Sequence, residues 1–311
     1  MATNIDNFTV SMRTEFLNTY YLDEPDPIAQ IYQVLPSNTK IENYSWMSAA
    51  PGFREFTGAR LFAKIDHSKY TVINQKFTGE FMVLLEDLED DQVGGYPAKS
   101  KELAENARAF PSEEVLRGLA TAKTAIGFDG TAIAADTHSF GSGDNLMAFT
   151  AASGDAVNHV LVFLVKKRAI KPIFWQNRSM KGLMTNAGES RSEEEGFVKY
   201  WADLRGAVGF GYWYDLIWTD VTNTPSLTEL QTIFGNAEAR FREFQRPKGQ
   251  EGEDIRYMHQ NIDFTSDSLA IVNSTKISHL VRTVLNESMI SNSTNAYKGW
   301  AQHINSAYLN P

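Results

Sequence analysis

KIDHSKYTVINQKFTGEFMVLLEDLEDD, residues 64–91, opens with turn chemistry, continues as strand-forming sequence and closes on acid. From Lys69 to Leu85 there is no proline, a single glycine and a high content of β-branched and aromatic residues (Tyr70, Thr71, Val72, Ile73, Phe77, Phe81, Val83), the composition of a β-strand. At about 3.3 Å per residue such a strand spans on the order of 55 Å, well beyond the usual length of about 3–10 residues. Upstream, Leu61, Ala63 and Ile65 alternate with Phe62 and Lys64, and Asp66-His67-Ser68 supplies a turn, so the two runs predict a hairpin. An isolated two-stranded hairpin is marginal in water and its open edges invite another chain. The hairpin is therefore expected to lean on a second subunit.

Composition bounds what surrounds this hairpin. The 311 residues suffice for a sizeable core and about two domains, and a 42% hydrophobic content fits an ordinary globular chain. The longest apolar run, Val160–Val165, is far short of the roughly 20 residues of a membrane span, and MATNIDNFTV lacks the basic and apolar regions of a signal peptide. Residence in the cytoplasm and no membrane partner are the expectations. The absence of cysteine excludes disulfides and thiolate chemistry. With 29 basic against 38 acidic residues and a net charge of -9, the chain as a whole repels nucleic acid and is not expected to read DNA sequence.

Along the chain, residues 1–40 carry a short helical pattern (Met12, Phe16, Tyr20) and the loop LDEPDP, and read as an arm. A helix is predicted from Pro97 with Leu103, Ala104, Ala107 and Phe110 on one stripe, kinked or broken at Pro111 before SEEVLRGLATA resumes. HVLVFLVKK, AIKPIFWQN and FVKYWADLRGAVGFGYWYDLIW read as strands, separated by a polar surface loop at 186–196. Leu227, Leu230, Phe234, Ala237, Phe241 and Phe244 recur at helical steps behind a Ser226/Glu229 capping box, giving a helix that stops near Pro247. A short strand at Leu269–Val272 and a second amphipathic helix through Leu285 follow.

Chemical signals are sparse. None of the six histidines forms a metal-ligand spacing with another, and no cofactor is expected. Asp136 and His138 in FDGTAIAADTHSF are the best candidate for a base and its partner, against the plainer reading of a hydrogen-bonded loop. GAVGFG lacks the strand-turn-helix context of a nucleotide fingerprint and reads as close strand packing; EDLEDD lacks the spacing and glycine of a calcium loop and reads as a solvated or interface-facing acidic run.

TKIENYSWMSAAPGFREFTGAR followed by YTVINQKFTGEFMVLLEDLEDDQVGGY resembles the N-terminal region of the Mu-like major head subunit family of tailed-phage capsid proteins, through Trp46, Pro51, Arg54, Glu55, Phe56, the acidic block, Gly95 and Tyr96. FPSEEVLRGL, FDGTAIAADTHSF, RAIKPIFWQN, RGAVGFGYWYDL and SLAIVNSTKISHLVRTVL continue the likeness in order over most of the chain. The family's FxxWQL step is Tyr212-Trp213-Tyr214-Asp215 here, and the acidic loop at 189–195 has no counterpart.

The resemblance implies an α+β chain of the Hong Kong 97-type phage capsid fold: an N-terminal arm (1–40), an extended β-hairpin loop with its acidic strand end (41–91), a peripheral domain (92–225) with a spine helix at 97–122, and an axial domain with the C-terminal segment (226–311). It implies a non-enzymatic major capsid protein of a tailed phage or prophage, or alternatively the shell protein of a nanocompartment or gene-transfer particle. Its partners would be further copies in hexamers and pentamers, double-stranded DNA enclosed without sequence preference, a portal, a decoration protein and a scaffolding protein. The arm starts at Met1, so scaffolding is expected to be a separate chain. Assembly would take place in the host cytoplasm and the product would be the virion capsid. The loop carries Arg54, Arg60, Lys64 and Lys69, with Trp46, Phe53 and Phe56 as apolar anchors, and is expected to lie over a neighbour's acidic surface containing Glu86, Asp87, Glu89, Asp90 and Asp91.

Overall fold

The computed structural model describes residues 2–44, 58, 70–89, 95–138, 144–187, 196–245 and 257–310. In chain order these form α1 (Ala2–Tyr20), β1 (Tyr32–Pro36), β2 (Ile41–Asn43), β3 (Thr71–Ile73), β4 (Gln75–Leu84), α2 (Leu85–Glu89) and α3 (Tyr96–Leu119). Then come β5 (Leu146–Thr150), β6 (Asn158–Val165), β7 (Ile173–Thr185), β8 (Phe197–Phe210), β9 (Leu216–Thr222) and α4 (Leu227–Glu243). The chain closes with β10 (Leu269–Ser274), α5 (Ser278–Asn286), β11 (Met289–Ile290), β12 (Ser293–Thr294) and β13 (Gln302–Ser306).

One sheet has the order β1-β7-β8-β4, with β1 parallel to β7 and the other pairs antiparallel. Its inner residues Val83, Val198, Tyr200 and Ala202 meet Met12 and Phe16 of α1 and Ala104 of α3. The spine helix α3 approaches the sheet closely because Gly79 has no side chain: a Cβ there would lie 2.6 Å from Leu103 Cδ1. The second sheet has the order β13-β10-β6-β9-β5. Its central strand β6 is apolar without alternation because both faces are covered. Leu161, Phe163 and Val165 pack under α4 and α5, while Val162 and Leu164 face the core shared with α3 and the first sheet.

Several expectations change. The loop hairpin predicted from 59–65 and 69–85 is not what roots the ribbon: the partner of Thr71–Ile73 is Ile41–Asn43, and the 59–65 strand lies outside the described residues. The long strand is interrupted at Asn74, and its second half is the edge of an intrachain sheet rather than an unsupported projection. The acidic strand end is helical: Leu85–Glu89 begins a helix with Glu86 and Asp87 in its first turn, where carboxylates suit the helix dipole. The arm is docked. Met12 and Phe16 are fully buried, Ser100 Oγ donates to Met12 O at 2.7 Å, and β1 joins the first sheet. The spine runs Tyr96–Leu119 without a break, because Phe110 on one side of Pro111 is locked against Phe77 and Trp175 and Val115 on the other is buried. Finally, a boundary at 225/226 would cut the five-stranded sheet, which takes β5, β6 and β9 from before it and β10 and β13 from after it.

The capping box is present, with Ser226 and Glu229 exchanging hydrogen bonds, and α4 ends at Glu243 with Phe244 as its C-cap. Phe234 on this helix is fully buried against Phe163, Tyr297 and Trp300. Phe234→Ala is expected to cost about 3–5 kcal/mol and Ser226→Ala about 1 kcal/mol, read as shifts of the urea midpoint.

Candidate assembly surfaces

The β2–β3 ribbon flanks residues 45–69 on both sides, and a set of polar contacts fixes it. Tyr44 N donates to Tyr70 O (2.8 Å) and Asn74 N to Lys40 O (3.0 Å), closing the ribbon at both ends. Glu42 Oε1 accepts from Ser37 Oγ (2.9 Å) and from the amides of Asn38 and Thr39 (both 3.0 Å), bending the chain from β1 into β2. Asn74, the residue that interrupts the long strand, sends Nδ2 to Ser37 Oγ (2.7 Å) and Thr39 O (2.8 Å). Two tyrosines clamp this joint to the first sheet. Tyr44 OH donates to Gln176 Oε1 (2.6 Å) with its ring on Phe174, and Tyr70 OH accepts from the Phe210 amide (2.7 Å). Burial pushes both hydroxyls up to about 12, so they stay protonated at any physiological pH. None of Glu42, Asn74, Tyr44 and Tyr70 stood out in the sequence, although a tyrosine at each end of the loop was a visible cue.

Of the residues expected to carry the interface, Trp46, Phe53, Arg54, Phe56, Arg60, Lys64, Lys69, Asp90 and Asp91 lie outside the described residues. Glu86, Asp87 and Glu89 come together on α2, which continues directly from the edge strand β4. Glu86 is exposed, whereas Asp87 accepts from Tyr96 OH across the turn into α3, a bond that raises the tyrosine's pKa. Lys76, at the start of β4, is engaged within the chain, 3.0 Å from Asp203.

The enzymatic candidate dissolves on inspection. His138 pairs with Asp129 (Nδ1 to Oδ2, 2.8 Å) and Asn145 (Nε2 to Oδ1, 3.1 Å), not with Asp136, and its ring stacks on Trp213 at 4.0 Å. With its side chain at 0% exposure, His138 braces Asp129, Asn145 and Trp213. GAVGFG lies at the end of β8, and a Cβ at Gly206 would meet the Trp175 ring at 2.2 Å, so these glycines serve strand packing. Among the described residues no cluster of three or more His, Asp or Glu could hold a metal, and no helix is long and apolar enough to cross a membrane.

The family model described as Mu-like prophage major head subunit gpT matches residues 5–309. A curated relative, the major capsid protein of Escherichia phage Mu, is 25% identical over 199 residues, covering 61% of this chain and 65% of that protein. The match thus spans about two thirds of the relative's length. Among solved structures, the procapsid of bacteriophage JBD30 superposes with a TM-score of 0.75 at 22% identity, over 99% of this chain and 100% of the other. The JBD30 capsid gives 0.71 at 19% identity, over 93% and 92%. The fold is that of these phage capsid subunits, as the sequence resemblance implied.

The joint has a definite pH response. Hydrogen bonds from the Thr39 amide, the Ser37 hydroxyl and the Asn38 amide hold the Glu42 carboxyl down to about 2. A carboxyl depressed by folding stabilises above its ordinary range near 4 and loses that contribution as the pH falls through about 2. Hydrogen–deuterium exchange of the 37–44 peptide should therefore show protection that persists to about pH 3, and Glu42→Gln should exchange severalfold faster at neutral pH.

Proposed function

This chain belongs to the Mu-like prophage major head subunit gpT family, and on that premise we propose that it is the major capsid protein of a tailed phage or prophage. Copies would self-assemble into hexamers and pentamers of an icosahedral shell around double-stranded DNA. The observation that carries this reading is the family match from residue 5 to residue 309, supported by a fold likeness that spans nearly the whole chain.

The geometry gives the proposal a mechanism. A two-stranded ribbon clamped by Tyr44 and Tyr70 fixes the two points between which residues 45–69 run. That loop reaches a neighbouring subunit, and Trp46, Phe53 and Phe56 bury there. Arg54, Arg60, Lys64 and Lys69 meet the acidic surface of Glu86–Asp91. Exposed ion pairs contribute only about 0–1 kcal/mol each, so they set register, while the buried aromatic rings supply most of the adhesion. The enclosed DNA is contained by the wall without being gripped, since the subunit carries a net charge of -9. A scaffolding protein and a portal complete the particle, which is assembled in the host cytoplasm.

The test is electron microscopy of the purified chain, alone and with its scaffolding protein. Closed shells or capsomers support the proposal, and a chain that stays monomeric under every assembly condition overturns it. Trp46→Ala and Phe56→Ala should abolish shells while circular dichroism stays native. Arg54→Glu with Arg60→Glu should slow or misdirect assembly with a milder loss. Unfolding by the aromatic variants would place those rings in the subunit's own core instead.

A further inference from the structure

Among the described residues, two short connections pass directly between the sheets: residues 166–172 lead from β6 to β7, and residues 211–215 lead back from β8 to β9. They touch each other. Gly211 N donates to Pro172 O at 2.9 Å, and a Cβ at Gly211 would sit 2.1 Å from Lys171 O. Deeper in, Arg168 on the first connection places Nε 3.2 Å from Oδ1 and 3.3 Å from Oδ2 of Asp215 on the second. The carboxylate is fully buried, whereas the Arg168 side chain keeps 23% of its surface exposed, so the pair is one side chain away from solvent. Any rotation of one sheet against the other must move these two connections, and the ion pair spans them.

We propose that the Arg168–Asp215 pair is a proton-released lock on the hinge between the two sheets. With Asp215 ionised, the pair pins the connections together. When Asp215 takes up one proton from solvent, the guanidinium loses its anionic partner and swings outward, and the connections separate enough for the sheets to rotate.

The surroundings favour the protonated carboxyl. Facing it are Arg168 from the first connection, Tyr212 and Tyr214 from its own, and His259, whose Nε2 lies 3.4 Å from Asp215 Oδ1 and 2.9 Å from the Tyr214 carbonyl. Arg242 of α4 is spent on the His259 carbonyl at 2.6 Å and does not reach the carboxylate. The rings of Phe241 and Phe244 close over His259 on the far side. Desolvation outweighs the pull of Arg168 and pushes the Asp215 carboxyl up to about 7. Because this pKa is raised by folding, the folded chain takes up the proton between about 7 and the ordinary carboxylate range near 4. The group's contribution to stability is fully present below about 4 and is lost as the pH rises through about 7. Mild acid therefore loosens the hinge without costing stability at this site, which separates the lock from simple acid unfolding.

Infrared titration of the full chain, with 13C-labelled aspartate to assign the band, reads the carboxyl directly. The wild type should gain a protonated-carboxyl band with a midpoint near neutrality that is missing in Asp215→Asn. Arg168→Gln removes the cation but keeps the acid, and should move the midpoint to higher pH. Over the same range, hydrogen–deuterium exchange in peptides 166–172 and 211–216, corrected for intrinsic rate, should rise severalfold. In Asp215→Asn it should already be high at pH 8. A band titrating near pH 4, or protection in both peptides unchanged from pH 8 to pH 5, overturns the proposal. Should Asp215→Asn fail to fold, the labelled wild type and Arg168→Gln still decide it.

Discussion

The rest of the structure depends on the pairing of β7 with β8. These strands of 13 and 14 residues are the longest among the described residues and lie at the centre of the first sheet. At one end both feed the second sheet through the two short connections. On their outer edges they carry β1, beside residues 173–177 of β7, and β4, beside residues 197–206 of β8, and helix α3 packs on them. The pairing has to stay in register over this length. It does so by placing the Trp175 ring over Gly206, where any side chain would collide, and by absorbing extra residues at two irregularities, between Asn177 and Ser179 and between Lys181 and Met184. Trp175 is also the ring against which Phe77 of β4 and Phe110 of α3 pack, so one indole ties edge strand, spine and central pair together. A register slip of one residue would turn it out of the core and undo all three contacts.

From that platform the loop root follows. β4 is held along its whole length by β8, so the chain entering it from the ribbon has a fixed endpoint. Asn74 then changes direction through side-chain bonds instead of a proline or glycine, and Glu42 does the same on the incoming strand. A joint made of directional hydrogen bonds sets an angle, where apolar packing alone would mostly set a distance.

How much of this the sequence disclosed varies with how local the cause is. The Ser226/Glu229 box and the Leu230–Phe234–Ala237–Phe241 stripe are local, and they predicted α4. The apolar run at 158–165 likewise read as a strand because both its faces are covered. The ribbon was misread because the true partner of Thr71–Ile73 is Ile41–Asn43, about 30 positions away, three residues long and too polar to show an alternating pattern. The helical pattern at Met12, Phe16 and Tyr20 was legible, but its docking was not, because Met12 and Phe16 pack against Val198 and Tyr200, distant in sequence. His138 was given the wrong partner for the same reason: Asp136 is near in sequence, whereas Asp129 is near in space. The hinge pair, Arg168 with Asp215, had no local sign at all. The functional reading came from the ordered resemblance of many short segments, since no segment alone carries a chemistry.

On the proposed capsid reading, the subunit has to stay dissolved as a single copy and adhere as one of many. The net charge of -9 serves the first need, because like-charged copies repel at distances within the Debye length of about 10 Å or less in ordinary salt. The second need cannot be met by reversing that charge. It has to come from apolar surface that becomes effective only on contact. Such surface is present along one course: Ile41 and Ile73 on the ribbon are 48% and 54% exposed, and Met82 and Leu84 on the edge strand are 60% and 49% exposed. These residues sit on an open ribbon and an open sheet edge, where backbone groups add direction to apolar adhesion. Directly beyond Leu84 the chain turns into the acidic helix α2, so the sticky edge ends in a charged stop. Charge next to an exposed strand edge discourages indiscriminate pairing and leaves only partners that bring complementary cations. On that reading, solubility and specificity are served by the same carboxylates of α2.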